Sequence, residues 1–373
     1  MPDVLYYNIS IDNTDAKVSG LSKGQFSYPI NTDITAQNTQ PVLENPSEWY
    51  GSIIRMEVPT FTVPVIQFIT ETPIVNPTDI NRGVYTFTLE YNGIFSNQVN
   101  YIYIPQVIDT DIPPYPTPTQ TFGPYYFIYN YGVWIDIMNV ALSTAFVDLQ
   151  SKTGGALASC ATPFFNYNPT TQLISLYTDA AFFENTVATP VFIYFNSISS
   201  QNFNGFQWNE QTIGSSNGAD CLFTIKNRNT LNHQTLNSVL YNVLSQEFVA
   251  LGYLSQLKRI VITTNMNVIS ELDYVNNPSA IQNINYQSVL TDYIPDLSGP
   301  NEAGIVSKIF IYNAPSLYRV FEFKDRTPLY AVSLRVYWTD QLGNTYPLQL
   351  AKGLNASFKL MFIKKTAFSK FLL

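Results

Sequence analysis

Apolar and polar residues alternate in short runs along most of this chain. Tyr85, Phe87, Leu89 and Tyr91 alternate with Thr86, Thr88 and Glu90. Asn92-Gly93 follows, a dipeptide suited to the two-residue turn of a β-hairpin. Ile94 to Ile104 then reads as the return strand. A second hairpin is predicted from Ser333 to Leu350. Leu334, Val336 and Trp338 share one face, and Arg335, Tyr337 and Thr339 the other, with Gly343-Asn344 at the turn. Pro347 has no N–H to give a ladder, so its strand belongs at an edge or bulge. Phe358, Leu360 and Phe362 mark a final strand. Further strands are predicted at Ile53 to Val58, Val63 to Ile69, Leu173 to Thr178, Val191 to Phe195, Leu222 to Lys226, Arg259 to Thr264, Lys308 to Tyr312 and Leu317 to Phe323. Many short strands separated by turn residues predict a sandwich or barrel rather than a parallel α/β sheet.

Two segments follow a helical period instead. Trp134, Met138, Leu142, Ala145, Phe146 and Leu149 predict a helix over 134–150, with Gly154-Gly155 as its stop. Leu236, Val239, Leu240, Val243, Leu244 and Phe248 predict another over 235–257, capped by Thr235. Both read as core-facing amphipathic helices. Asp109 to Pro124 contains Pro113, Pro114, Pro116, Pro118 and Pro124 and predicts an extended loop. A faint echo links Ser52 to Ile66 with Lys258 to Leu272 and suggests two related β domains. The expected organisation is an N-terminal arm over 1–30, a β-sandwich portion over 31–200 that includes the Pro-rich loop 109–124, a second β portion over 201–351, and a basic C-terminal strand and tail over 352–373.

Composition sharpens the picture. Only 12% of the 373 residues are charged, about half the usual share. The polar remainder is neutral, and Tyr (26) and Phe (25) are abundant. Aromatic residues fit pleated, half-buried surfaces, and a surface poor in charge suits packed interfaces. The net charge of -8 opposes broad phosphate binding, which needs Lys and Arg. The exception is local: Lys352, Lys359, Lys364, Lys365 and Lys370 crowd the last residues, with no acid among them. That basic tail could meet a genome or an anionic inner membrane, or it could be a solubilising tail.

Candidate chemistry is sparse. Gly214-Ser215-Ser216-Asn217-Gly218 matches the G-x-S-x-G pattern, but the nucleophile elbow needs a strand-to-helix turn and a base in reach. A strand is predicted to follow it, and His233, the single histidine, is the one candidate base. The blander readings are a Gly/Ser-rich loop and a surface or capping histidine. Asp109 and Asp111 resemble the start of a calcium loop, but the Gly and distal Glu of such a loop are missing. Cys160 and Cys221 fit no disulfide framework or zinc knuckle and read as free buried thiols. Asn8-Ile9-Ser10 and Asn355-Ala356-Ser357 match the glycosylation sequon. The N-terminus has no signal-peptide pattern, and no run reaches the roughly 18 apolar residues of a membrane span. No catalytic, cofactor-binding or metal-binding residue is assigned. Trp49, Trp134, Trp208 and Trp338 are the candidates for stacking on sugars, should the chain be a carbohydrate-binding adhesive or fibre-like module.

Four segments carry a resemblance. They are NPSEWYGSIIRMEVPTFTVPVI (45–66), RIVITTNMNVISEL (259–272) with Thr291-Asp292 beyond it, SLRVYWTDQLGNTYPLQL (333–350) with FKLMFIKK (358–365), and TPFFNYNPTTQLISLYTD with TPVFIYFNS within 162–197. They cover about a third of the chain. They resemble minor structural or penton-type capsid proteins of polinton-like viruses and virophages. The resemblance implies an all-β, jelly-roll β-sandwich, either one with insertions or two, that assembles into an icosahedral shell. It implies a vertex or minor coat subunit rather than an enzyme. A major capsid protein with a double jelly roll is the alternative. It also implies copies of itself and other capsid proteins as partners, a receptor contact as a further one, and residence in the virion after synthesis in host cytoplasm.

Overall fold

The computed structural model describes residues 3–12, 27–29, 31–35, 40–67, 85–104, 127–211, 220–225, 233–249, 255, 257–269, 271–275, 285–294, 309–314, 319–341, 343–351 and 353–371. The Pro-rich loop 109–124, Asp109, Asp111 and Ser216 therefore lie outside the described residues. The chain forms two compact units, residues 1–64 with 256–373, and residues 65–255. The boundaries expected from composition, at 30, 200 and 351, do not coincide with these. The expected N-terminal arm is in part a strand: Val4–Asp12 pairs along its whole length with Asn355–Lys364. The C-terminal strand, expected as the start of a tail, lies between two partners, Val4–Asp12 and Trp49–Pro59.

The first unit is a sandwich whose strand pairs nest. Outermost in sequence, Trp49–Pro59 pairs with Asn355–Lys364. Inside it, Arg259–Thr264 pairs with Ala331–Thr339. Inside that, Val268–Ile269 pairs with Phe321–Phe323. Innermost, Glu271–Val275 pairs with Asn285–Tyr293. Successive pairs alternate between two sheets, so the folded-over ribbon rolls around one core. That nesting is the jelly roll. All of these pairs are antiparallel, as a ribbon doubled back on itself requires.

The alternating strands supply the core. Phe358, Leu360 and Phe362 are buried on one sheet, and Leu334, Val336 and Trp338 on the other. Tyr293 of one sheet lies edge-on to Phe310 and Tyr312 of the other, with ring centres 4.5 and 5.3 Å apart. Arg259–Thr264 is buried almost throughout, as befits a strand paired on both sides. Gly51 lies between Phe362 and Phe321 in the register. A Cβ there would come within 2.3 Å of the Phe321 ring, so the missing side chain is what lets that ring lie on the strand. Thr345–Pro347 ends its sheet, the edge position that Pro347 demands. Ser52 to Pro59 and Lys258 to Thr264 are strands of this one sandwich, so their sequence echo does not record two domains.

The second unit is inserted between the first and second nested strands. Its pairs cross in sequence rather than nest. Thr86–Tyr91 pairs with Val191–Asn196, and Leu173–Asp179, which lies between them, pairs onward with Val239–Ser245. The helix Tyr131–Lys152 forms as its period predicts. The Asn130 side chain accepts from the Gly132 N–H at 2.7 Å and caps its start. Gly154 and Gly155 follow its end at positive φ. Its length and mean hydropathy of 1.3 meet those of a membrane span, which reading the sequence did not anticipate, yet half of that window is buried inside the protein. Its apolar side packs on Thr86–Tyr91 and Phe164–Asn168. Trp134 is fully buried, with the Tyr85 and Tyr101 rings each 5.8 Å from it. Phe87, Phe165, Phe195, Phe203, Phe206 and Phe223 complete a nearly continuous aromatic core.

The second predicted helix is instead a hairpin, His233–Leu236 and Val239–Ser245. Asn237 and Ser238 form its two-residue turn at φ 47 and 68. Both central residues at positive φ give the turn whose twist matches paired strands. Docking of Val239–Ser245 onto Leu173–Asp179 then overrides the local helical spacing. The Asn92-Gly93 hairpin is present, but its return strand is broken. Ile94–Phe95 and Val99–Asn100 flank Ser96, whose hydroxyl accepts from the Leu89 N–H at 2.9 Å.

Gly51→Ala is expected to force the Phe321 ring aside and to cost about 1–3 kcal/mol, the usual range for overpacking. Gly51→Ala with Phe321→Leu should recover most of that loss in thermal denaturation. Trp134→Ala should cost about 3–5 kcal/mol and lower the melting temperature of the inserted unit by several degrees.

Candidate functional site

The residues singled out for chemistry are mostly structural. His233 begins a strand rather than preceding a helix, and its Nε2 lies 2.7 Å from Glu184 Oε1. The pair lines an open cavity of about 530 Å³ together with Ser159, Asp179 and Leu240. Asp179 is committed to the backbone. It accepts from the Ala161 N–H at 2.9 Å and from the Ala181 N–H at 3.0 Å, where it caps a short helix. Among the described residues no group of three His, Cys, Asp or Glu could hold a metal ion.

Cys160 and Cys221 are free and buried, as expected. Burial pushes both thiols up, with Asp179 adding to the effect at Cys160 and Glu210 and Asp220 at Cys221. Raised thiols are poor nucleophiles. Trp49, Trp134 and Trp338 are buried and offer no stacking face to a sugar. Trp208 is half-buried and edge-on to Phe195 at 6.1 Å. The two sequons lie on paired strands, where Asn355 Nδ2 donates to Ser10 Oγ at 3.0 Å.

Lys364 and Lys365 of the basic C-terminal stretch are engaged locally. Lys364 Nζ lies 3.5 Å from Asp3 Oδ1 and 5.7 Å from the centre of the Trp49 ring. Lys365 Nζ reaches Glu322 Oε2 at 2.8 Å and the Tyr50 ring at 5.1 Å. The strand Asn355–Lys364 runs without a loop into the helix Lys365–Phe371. That helix folds back on the outer face of the sheet. Ala367 and Phe368 pack with Met361, Ile363, Val4, Tyr50 and Ile54. Part of this outer face is thus covered by the chain's own terminus.

Another part carries exposed side chains. Asn8, Lys359, Arg55 and Asn313 stand in one row across four neighbouring strands. Lys359 Nζ lies 4.7 Å from the centre of the Tyr6 ring. Tyr6, Ile309 and Ile311 are exposed around the row. The strand Ile309–Asn313 alternates strictly, with Phe310 and Tyr312 inside. The sequence pattern predicted this strand but not which apolar set faces outward, because both sets are apolar. The inserted unit has a second surface of interest: Phe164 stacks on Tyr177 at 4.8 Å, and Tyr241 lies edge-on to both. A face of this kind, neutral and aromatic, resembles an interface more than a catalytic cleft.

The family model described as Sputnik minor capsid protein V18/19 matches residues 5–364. Structural protein V19 of Sputnik virophage is 30% identical over 214 residues, covering 56% of this chain and 96% of that protein. The Sputnik virophage protein V18 is 32% identical over 162 residues, covering 41% of this chain and 88% of its own length. A chain in the cryo-EM structure of the Sputnik virophage superposes with a TM-score of 0.78 at 29% identity, covering 99% of both chains. The mavirus penton protein superposes with a TM-score of 0.61 at 15% identity, covering 97% of this chain and 100% of that one, a likeness of fold.

Phe368→Asp is expected to lift the terminal helix from the sheet and expose Met361 and Ile363. The cost should be about 1–2 kcal/mol, as for a partly buried Phe. Increased binding of an apolar dye and faster proteolysis beyond Lys364 would report it, and Phe368→Leu should leave both unchanged.

Proposed function

The chain belongs to the Sputnik minor capsid protein V18/19 family, and on that premise we propose that it is the vertex, penton-type subunit of an icosahedral virophage-like shell. It is a structural capsid protein. The observation that carries the vertex reading is the single set of nested strand pairs, interrupted once by the inserted unit 65–255. A major capsid protein with a double jelly roll would need a second nested set. In the described part of the inserted unit the pairs cross instead. The likeness in fold to a penton protein over 97% of the chain supports the same choice.

The mechanism is physical. A rigid sandwich holds its outer faces in fixed relation, and identical copies associate through the same patches until symmetry closes the ring. Few charges lower the desolvation cost of burying those patches. The protein resides in the virion shell, with copies of itself and other capsid proteins as its partners. Synthesis in host cytoplasm is part of the same proposal. Genome or membrane contact through the basic terminus is a weaker reading. Lys364 and Lys365 already have local partners, so their charge is partly spent within the subunit.

Purified full-length protein is expected to form one closed oligomer, a pentamer, at micromolar concentration. Sedimentation velocity or native mass spectrometry gives the copy number. A trimer would favour the major capsid reading, and a protein that remains monomeric as its concentration rises would remove the assembly reading altogether.

A further inference from the structure

The row Asn8–Lys359–Arg55–Asn313 is an unusual thing to find on a sheet. Like charges directly opposite each other on neighbouring strands destabilise the pairing. Here Lys359 and Arg55 are directly opposite, and the positions on either side of them are neutral amides rather than acids. Lys359 is steadied by the Tyr6 ring. Arg55 is exposed and makes no ion pair among the described residues. The carboxylate in the next row of this face is Glu57, opposite Ser357 and Ile311. It leaves the two rows with an excess of positive charge in a chain whose net charge is -8.

The surroundings are those of a contact. Ile311 is 59% exposed, Tyr6 57% and Ile309 43%, all large apolar side chains beside the charged row. Ile309–Asn313 pairs with Trp49–Pro59 and turns Ile309 and Ile311 to the same outer face as Arg55. Large apolar side chains grouped on an outer face mark an interaction surface. Arg and Tyr are also the side chains most enriched at the energetic centres of interfaces.

We propose that this face is where a second copy of the chain docks, with carboxylates of the neighbour seated on Lys359 and Arg55 and with Tyr6, Ile309 and Ile311 buried around them. The occupant follows from charge. Copies carrying -8 each repel one another at a distance, and a cationic row on an acidic protein is a place where that repulsion becomes attraction. The inference rests on the capsid reading and names the surface that performs it.

The test uses the full-length protein and sedimentation velocity across a range of ionic strength. Wild type should assemble, with its dissociation constant rising with salt. Arg55→Glu with Lys359→Glu should weaken assembly by about tenfold or more, with circular dichroism and melting temperature unchanged. Ile311→Asp, which leaves the cationic row intact, should weaken it independently. If wild type assembles and both variants assemble equally well, this inference is wrong while the capsid reading stands. The same holds if the variants lose contact with a different shell protein but keep self-association. A wild-type protein that does not self-associate overturns both.

Discussion

The pairing of Trp49–Pro59 with Asn355–Lys364 is the constraint on which the rest of the first unit depends. It joins segments from opposite ends of the chain and closes the outermost of the nested pairs. Every inner pair is folded within the ribbon that it defines. Val4–Asp12 can add only once Asn355–Lys364 is in place, because it pairs with that strand. Such non-local closure carries a loop-entropy cost before any apolar contact offsets it. Phe358, Leu360 and Phe362 supply the offset, and Gly51 makes room for the Phe321 ring beside them.

That closure tolerates a long insertion between the first and second nested strands. The entropy of closing a loop grows slowly with its length, so a segment that folds on a core of its own adds little further penalty. The inserted unit has such a core. Its helix buries Trp134, Phe146 and Leu149 against strands that contribute Phe87 and Phe165. Each favourable aromatic pair is worth about 0.5–1.5 kcal/mol beyond its buried area. Many of the Phe and several of the Tyr, which composition placed on pleated, half-buried surfaces, are thus core residues here.

Surface chemistry follows from the scarcity of charge. With so few ionic groups, those that pair do so in identifiable local tasks. Asp148 shows this in the inserted unit: it accepts from the Asn97 N–H at 2.6 Å and pairs with Lys152 at 2.8 Å. These partners hold its carboxyl below the usual range, the Lys152 hydrogen bond contributing most. Lys364 and Lys365 fasten the C-terminal strand and helix in the same local way. Against that background, Lys359 and Arg55 side by side, with Glu57 the carboxylate of the next row, stand apart.

The sequence by itself determined a good part of the strand positions, the body of the first helix with its Gly154-Gly155 stop, the Asn92-Gly93 turn and the edge placement of Pro347. Each of these is written in local backbone preference, which neighbouring residues decide. The Asn130 cap and strands such as Glu271–Val275 and Asn285–Tyr293 it did not announce. The resemblance carried by 45–66, 259–272, 333–350 with 358–365, and stretches within 162–197 added the jelly roll; all but the last fall in the first unit, save Val65 and Ile66. Tertiary structure decided what local preference leaves open. The segment after Thr235 satisfies a helical spacing and a hairpin equally well until Leu173–Asp179 offers Val239–Ser245 a partner. The unit boundaries follow which strands pair, not where composition shifts. Which side of Ile309–Asn313 meets water, and that Arg55 stands opposite Lys359, depend on register between strands hundreds of residues apart, a relation that no local window of sequence contains.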